Sequence, residues 1–126
     1  MTAPRLLLLD DDAAIVAVVK RYFEGKGFEV ETQADADAAL VAVESERPFD
    51  AVVCDLHFTP ACLGEGFEIV GRARAARPEA AVLLFTAAVG DAVRLEALRR
   101  GADDVVTKPT PLAALHDATQ RAMKKP

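Results

Sequence analysis

Three short apolar runs in this chain end abruptly in polar residues able to do chemistry. Leu6-Leu7-Leu8-Leu9 is followed by Asp10, Asp11 and Asp12; Ala51-Val52-Val53-Cys54 by Asp55; and Ala81-Val82-Leu83-Leu84-Phe85 by Thr86. A weaker run, Asp104 to Thr107, leads into Lys108. Carboxylates gathered in one place repel: two unit charges about 4 Å apart cost about 4 kcal/mol at an effective dielectric near 20. Lys108 supplies one positive charge against that repulsion. A hard divalent cation with oxygen ligands supplies two, and Mg²⁺ suits a site of one or two carboxylates, water and a phosphate. Asp55 is a competent nucleophile in such a setting, because a free aspartate ionises near pH 3.9. Thr86 and Lys108 are then placed to donate to phosphoryl oxygens.

These residues meet only if the fold brings them together. The apolar runs lack polar alternation, which fits strands covered on both faces, as in a parallel sheet. Expected strands are Leu6 to Leu9, Phe28 to Thr32, Ala51 to Cys54, Ala81 to Phe85 and Asp104 to Thr107. Helical patterns fill the gaps. Ala13 to Glu24 sets Ile15, Val16, Val19, Tyr22 and Phe23 on one face, with Asp12 as its cap and Gly25 and Gly27 as its stop. Asp35 or Asp37 caps a second helix that ends before Pro48. A third runs from Gly66 to Ala76, and a fourth from Ala92 to Arg100 with Gly101 as its C-terminal stop. Pro111 starts a fifth. Five βα units predict an α/β fold, a doubly wound parallel sheet with helices on both faces and right-handed crossovers. In such a sheet ligands bind at the carboxyl ends of the strands, where Asp10, Asp11, Asp55, Thr86 and Lys108 all fall.

The bulk properties agree. A length of 126 residues predicts one domain, 1–126, with no room for an effector domain. A net charge of −5 argues against direct nucleic-acid binding, which needs a basic surface. No apolar run approaches the roughly 18 residues needed to span a bilayer, and no signal peptide is evident, so a cytoplasmic location without membrane contact is expected. Cys54 and Cys62 form no disulfide framework; Cys54 is expected as a small buried hydrophobe, with a Cys54–Cys62 redox pair as the sharper alternative. His57 is expected as an exposed loop residue and His116 as a helix-surface residue.

The stretches Leu-Leu-Leu-Leu-Asp10-Asp11-Asp12, Cys54-Asp55-Leu56, Leu84-Phe85-Thr86-Ala87 and Gly101-Ala-Asp-Asp-Val-Val-Thr-Lys108-Pro109 together resemble the motifs of the response-regulator receiver domain of bacterial two-component systems, in the family's order and at close to its spacing. The resemblance covers nearly the whole chain. It implies a five-stranded, flavodoxin-like sheet in the order 2-1-3-4-5. It implies Asp55 as phosphoacceptor, Asp11 as a direct metal ligand, Asp10 as one acting through water, and the backbone carbonyl of His57 as a further ligand, with Mg²⁺ or Mn²⁺ as the ion. Thr86 matches the switch hydroxyl and Lys108 the phosphate-pairing lysine, with a cis bond to Pro109. The implied partners are a sensor histidine kinase or a histidine phosphotransfer protein, and a downstream effector protein or domain. A homodimer through the face of the fourth helix, fifth strand and fifth helix is also implied. The family is a self-phosphorylating signalling domain with slow self-dephosphorylation rather than a metabolic enzyme.

Two departures stand out. The segment from Leu56 to Gly66 holds about three residues more than the family's usual loop. Val105 occupies a place where the family carries Tyr or Phe, which predicts a weaker response of the fourth-helix face to phosphorylation. These features leave open a degenerate receiver acting only as a docking module. A metal-dependent aspartyl phosphatase is a further alternative, since Asp10 and Asp12 stand two apart, but no insert of cap size is present. Taken singly, each residue has an ordinary reading: Thr86 as a strand-end hydroxyl, Lys108 as a solvated charge.

Overall fold

The computed structural model describes residues 2–58, 64–88 and 90–124. Strands and helices alternate along the chain: β1 (Arg5–Leu9), α1 (Ala13–Gly25), β2 (Glu29–Gln33), α2 (Ala36–Glu44), β3 (Ala51–Cys54), α3 (Glu65–Ala76), β4 (Ala81–Thr86), α4 (Asp91–Arg100), β5 (Asp104–Thr107) and α5 (Leu112–Met123). The five strands form one parallel sheet in the order β2-β1-β3-β4-β5. This is the order expected from the sequence resemblance.

Successive side chains of a strand point to opposite faces, so each central strand feeds two cores. Leu7, Leu9, Val52, Cys54, Val82 and Leu84 pack with Ala39 and Val43 of α2, Ile69, Val70 and Ala73 of α3, and Ala97 of α4. Leu6, Leu8, Ala51, Val53, Ala81, Leu83 and Phe85 pack with Val19 and Phe23 of α1 and Leu115, Ala118 and Ala122 of α5. The three central strands are buried throughout, which explains their unbroken apolar runs. The outer strands β2 and β5 are only half-covered, which explains their weaker signal.

Local chemistry sets the ends. Asp12 caps α1 by accepting from the N–H groups of Ala14 and Ile15. Asp35, not Asp37, caps α2 by accepting from Ala38 N–H at 3.0 Å. Gly101 closes α4 at φ +112°, a conformation that favours glycine. Pro111 precedes α5 as its cap rather than forming its first residue. Helices α3 and α4 each begin one residue earlier than expected, and β2 is shifted by one residue toward the C-terminus. Among the described residues no helix is long and apolar enough to cross a membrane.

His116 is a correction. Its side chain is only 16% exposed, and its ring lies edge-on to Tyr22, Phe23 and Phe28 at centroid distances of 6.1, 5.6 and 6.1 Å. It follows Leu115 on the face of α5 that meets α1, where a ring with one polar edge packs as well as an aromatic residue. The side-chain Nε2 of Gln120 lies 3.2 Å from the ring Nε2 of His116 and meets that polar edge.

Candidate functional site

The sheet itself positions the acidic residues. Asp10 N–H donates to Gln33 O at the end of β2, and Asp55 N–H donates to Leu9 O at the end of β1. Asp10 and Asp55 therefore leave neighbouring strands at the same level. Asp11 follows directly, and Asp10, Asp11 and Asp55 each offer a carboxylate oxygen within 4.8 Å of the others. Lys108 reaches this group from the far side of β4. Its backbone is held by a hydrogen bond from Lys108 N–H to Thr86 O at 2.9 Å, and its bond to Pro109 is cis. The Nζ lies 2.7 Å from Asp10 Oδ2 and 3.5 Å from Asp55 Oδ2, so one ammonium bridges two carboxylates. It also sits 5.1 Å from the centroid of the Phe85 ring, an attraction for a cation.

The carboxylates differ in their surroundings. Asp10 is 1% exposed, and burial pushes its carboxyl above the ordinary range, partly opposed by the hydrogen bond from Lys108 and by Asp12 N–H. Asp11 is exposed. Asp55 is half-buried, and its Oδ1 accepts from Leu56 N–H at 2.8 Å, leaving Oδ2 facing Lys108. The backbone of Asp55 is equally fixed. The Cys54 thiol donates to the Asp55 carbonyl at 3.1 Å; burial, then the neighbouring carboxylates, push that thiol up and keep it protonated. A Cβ on Gly66 would collide with the Asp55 carbonyl oxygen and lie 2.6 Å from Leu56 Cα. Only glycine allows α3 to start this close to the strand end.

Of the remaining expected residues, Thr86 ends β4 beside Lys108, but its hydroxyl accepts from Ala88 N–H at 3.1 Å rather than engaging a carboxylate. His57 corrects the sequence reading. It is half-buried, and its Nδ1 accepts from Gly64 N–H at 3.1 Å, so the ring ties the loop together instead of standing in solvent. Cys54 is buried and free; Cys62 and the pair it would form lie outside the described residues. Val105 is half-buried against the core of α2, α3 and α4, and its carbonyl accepts from Arg94 of α4 at 3.4 Å. Sequence reasoning missed Glu65, whose Oε1 accepts from Phe58 N–H at 3.1 Å. An acidic residue in the first turn of a helix is common enough to hide such a role.

A buried, a half-buried and an exposed carboxylate meeting at one point, with one ammonium beside them among the described residues, suit a hard divalent cation better than a soft metal. The family model described as the response regulator receiver domain matches residues 6–120. The chain belongs to this family. Among curated relatives, the transcriptional regulatory protein PrrA of Mycobacterium bovis is 35% identical over 115 residues, covering 91% of this chain and 48% of PrrA. The transcriptional regulatory protein TcrA of Mycobacterium tuberculosis is 36% identical over 121 residues, covering 96% of this chain and 46% of TcrA. This receiver domain thus spans about half the length of the curated relatives it matches. Among solved structures, a CheY-like response regulator receiver domain protein from Methanospirillum hungatei superposes with a TM-score of 0.88 at 27% identity, covering 97% of this chain and 94% of that one.

Proposed function

We propose that this receiver domain is a phosphorylation switch in which Asp55 accepts a phosphoryl group from a phosphohistidine, with Mg²⁺ or Mn²⁺ bound beside it. The observation that carries the reading is the bridged cluster: three carboxylates within 4.8 Å, with Lys108 pairing to both Asp10 and Asp55. In this reading an oxygen of Asp55 forms the new bond to phosphorus, the phosphorus–nitrogen bond of the phosphohistidine breaks, and the imidazole leaves and takes up a proton. The Leu56 N–H holds Oδ1, which leaves Oδ2 as the attacking oxygen. Lys108 then turns from the carboxylates to the phosphoryl oxygens, and the Thr86 hydroxyl gives up Ala88 N–H to donate to them. Asp10, Asp11, Asp55 and the His57 backbone carbonyl would hold the cation, which supplies positive charge to the phosphoryl oxygens.

The proposed donor is a sensor histidine kinase or a histidine phosphotransfer protein in the cytoplasm, and the chain acts as one domain. The proposed docking face for an effector or a second copy is that of α4, β5 and α5, where Leu95 is 63% exposed. Intact mass after incubation with acetyl phosphate tests the reading. A gain of one phosphoryl group that needs Mg²⁺ and is absent in Asp55→Asn supports it. No gain under any condition favours a docking module that works without phosphorylation.

A further inference from the structure

The segment between Asp55 and α3 is closed at its base by three hydrogen bonds. Gly66 N–H donates to Leu56 O at 2.7 Å, Gly64 N–H to His57 Nδ1 at 3.1 Å, and Phe58 N–H to Glu65 Oε1 at 3.1 Å. Two of the three acceptors are side chains. Leu56 and Phe58, on either side of His57, are buried in the core formed with α2, α3 and α4. The His57 peptide is thus pinned by a buried residue before it, a buried residue after it, and its own ring.

Helix α3 uses only one of these bonds for its own sake: Leu56 O satisfies Gly66 N–H, a first-turn donor with no partner inside the helix, whereas the two side-chain bonds reach outside it. Its cap, Gly64, lies at φ +72° and makes no side-chain capping bond, and Glu65 in the first turn is half-buried rather than turned out to solvent. Glu65 instead turns back across the loop to Phe58 N–H. We propose that His57 and Glu65 are positioning residues that together fix the His57 peptide, whose carbonyl oxygen is the backbone ligand of the cation. This rests on the cation site proposed above. Without these two side-chain bonds, the backbone ligand wanders and the cation keeps only its carboxylates. Supporting groups of this kind typically change metal affinity by about tenfold or more.

The test is Mn²⁺ binding to the unphosphorylated chain, followed by electron paramagnetic resonance of the free ion, with four variants. Glu65→Ala and His57→Ala are expected to weaken binding about tenfold. Glu65→Gln keeps an acceptor oxygen for Phe58 N–H and is expected to stay near the original affinity. Asp11→Ala serves as the reference for the site itself. If Asp11→Ala weakens binding but Glu65→Ala does not, the positioning role is wrong and the cation site stands. If Glu65→Gln binds as weakly as Glu65→Ala, Glu65 acts through its charge alone, which overturns the positioning role. If the unsubstituted chain takes up no Mn²⁺, or Asp11→Ala binds equally well, the site fails and the positioning role falls with it. Amide exchange in the cation-free protein gives an independent reading. Phe58 and Gly64 are expected to be protected, and Glu65→Ala is expected to expose Phe58 while core strand amides stay protected; rapid exchange at Phe58 in the unsubstituted chain overturns the proposal.

Discussion

Replacing Lys108 by methionine removes the ammonium that bridges Asp10 and Asp55 while keeping most of the apolar stem. At 2.7 and 3.5 Å, its attractions to Asp10 and Asp55 amount to about 6 and about 5 kcal/mol at an effective dielectric near 20. The carboxylate oxygens lie within 4.8 Å of one another, so each pair repels by at least about 3.5 kcal/mol on the same scale. The desolvation of Lys108 and Asp10 offsets much of the attraction, so the net loss follows the cost of breaking a buried ion pair, about 3 kcal/mol at pH 7.5 without divalent cation. Asp10 sets the pH dependence. Burial already raises its carboxyl in the folded protein, and Lys108 pulls it back down, so the substitution raises it further. A carboxyl raised in the folded state contributes stability that is present below its unfolded value of about 3.9 and lost as pH rises through the folded value. The difference between the original chain and Lys108→Met therefore opens as pH rises. Urea unfolding at pH 4 and pH 7.5 measures it. Adding Mg²⁺ at about a hundred times its Kd restores about 2.7 kcal/mol by binding the native state. An equal difference at both pH values, or one below about 1 kcal/mol at pH 7.5, refutes the reasoning.

Two further substitutions or comparisons probe the frame around the cluster. Gly66→Ala drives a methyl group into the backbone at Asp55 and Leu56, and is expected to destabilise by about 2–3 kcal/mol in urea unfolding; a neutral effect means that α3 can back away freely. Phosphorylation is expected to perturb the amides of Thr86 and Ala88, because the Thr86 hydroxyl must leave Ala88 N–H, yet to shift residues 90–118 only slightly, because Val105 is short and its carbonyl is held by Arg94. Large chemical-shift changes across 90–118 contradict that view.

How legible this was from sequence varied with the physics. The central strands are covered on both faces, so Leu6 to Leu9 and Ala51 to Cys54 are continuous apolar runs, and their polar stops mark the site. Asp12 and Gly101 also show their roles locally, since capping and positive φ are properties of a few adjacent residues. What escaped depends on contacts across the fold. His116 looks like a surface residue along α5, and only the packing of α1 against that helix buries it. The choice of Asp35 over Asp37 as cap turns on where α2 begins, at Ala36. The roles of His57 and Glu65 depend on contacts between residues 57–58 and 64–65, and nothing in their spacing signals a bond to a backbone N–H seven residues away.

The most direct test of the central claim is to trap the acyl phosphate where it forms. The chain is incubated with acetyl phosphate and Mg²⁺, reduced with borohydride, which converts a phosphorylated aspartate to homoserine, then digested and sequenced by tandem mass spectrometry. Homoserine at position 55 alone is the expected result. Homoserine at Asp10 or Asp11, or at no position in a chain that has taken up Mg²⁺, would contradict the account.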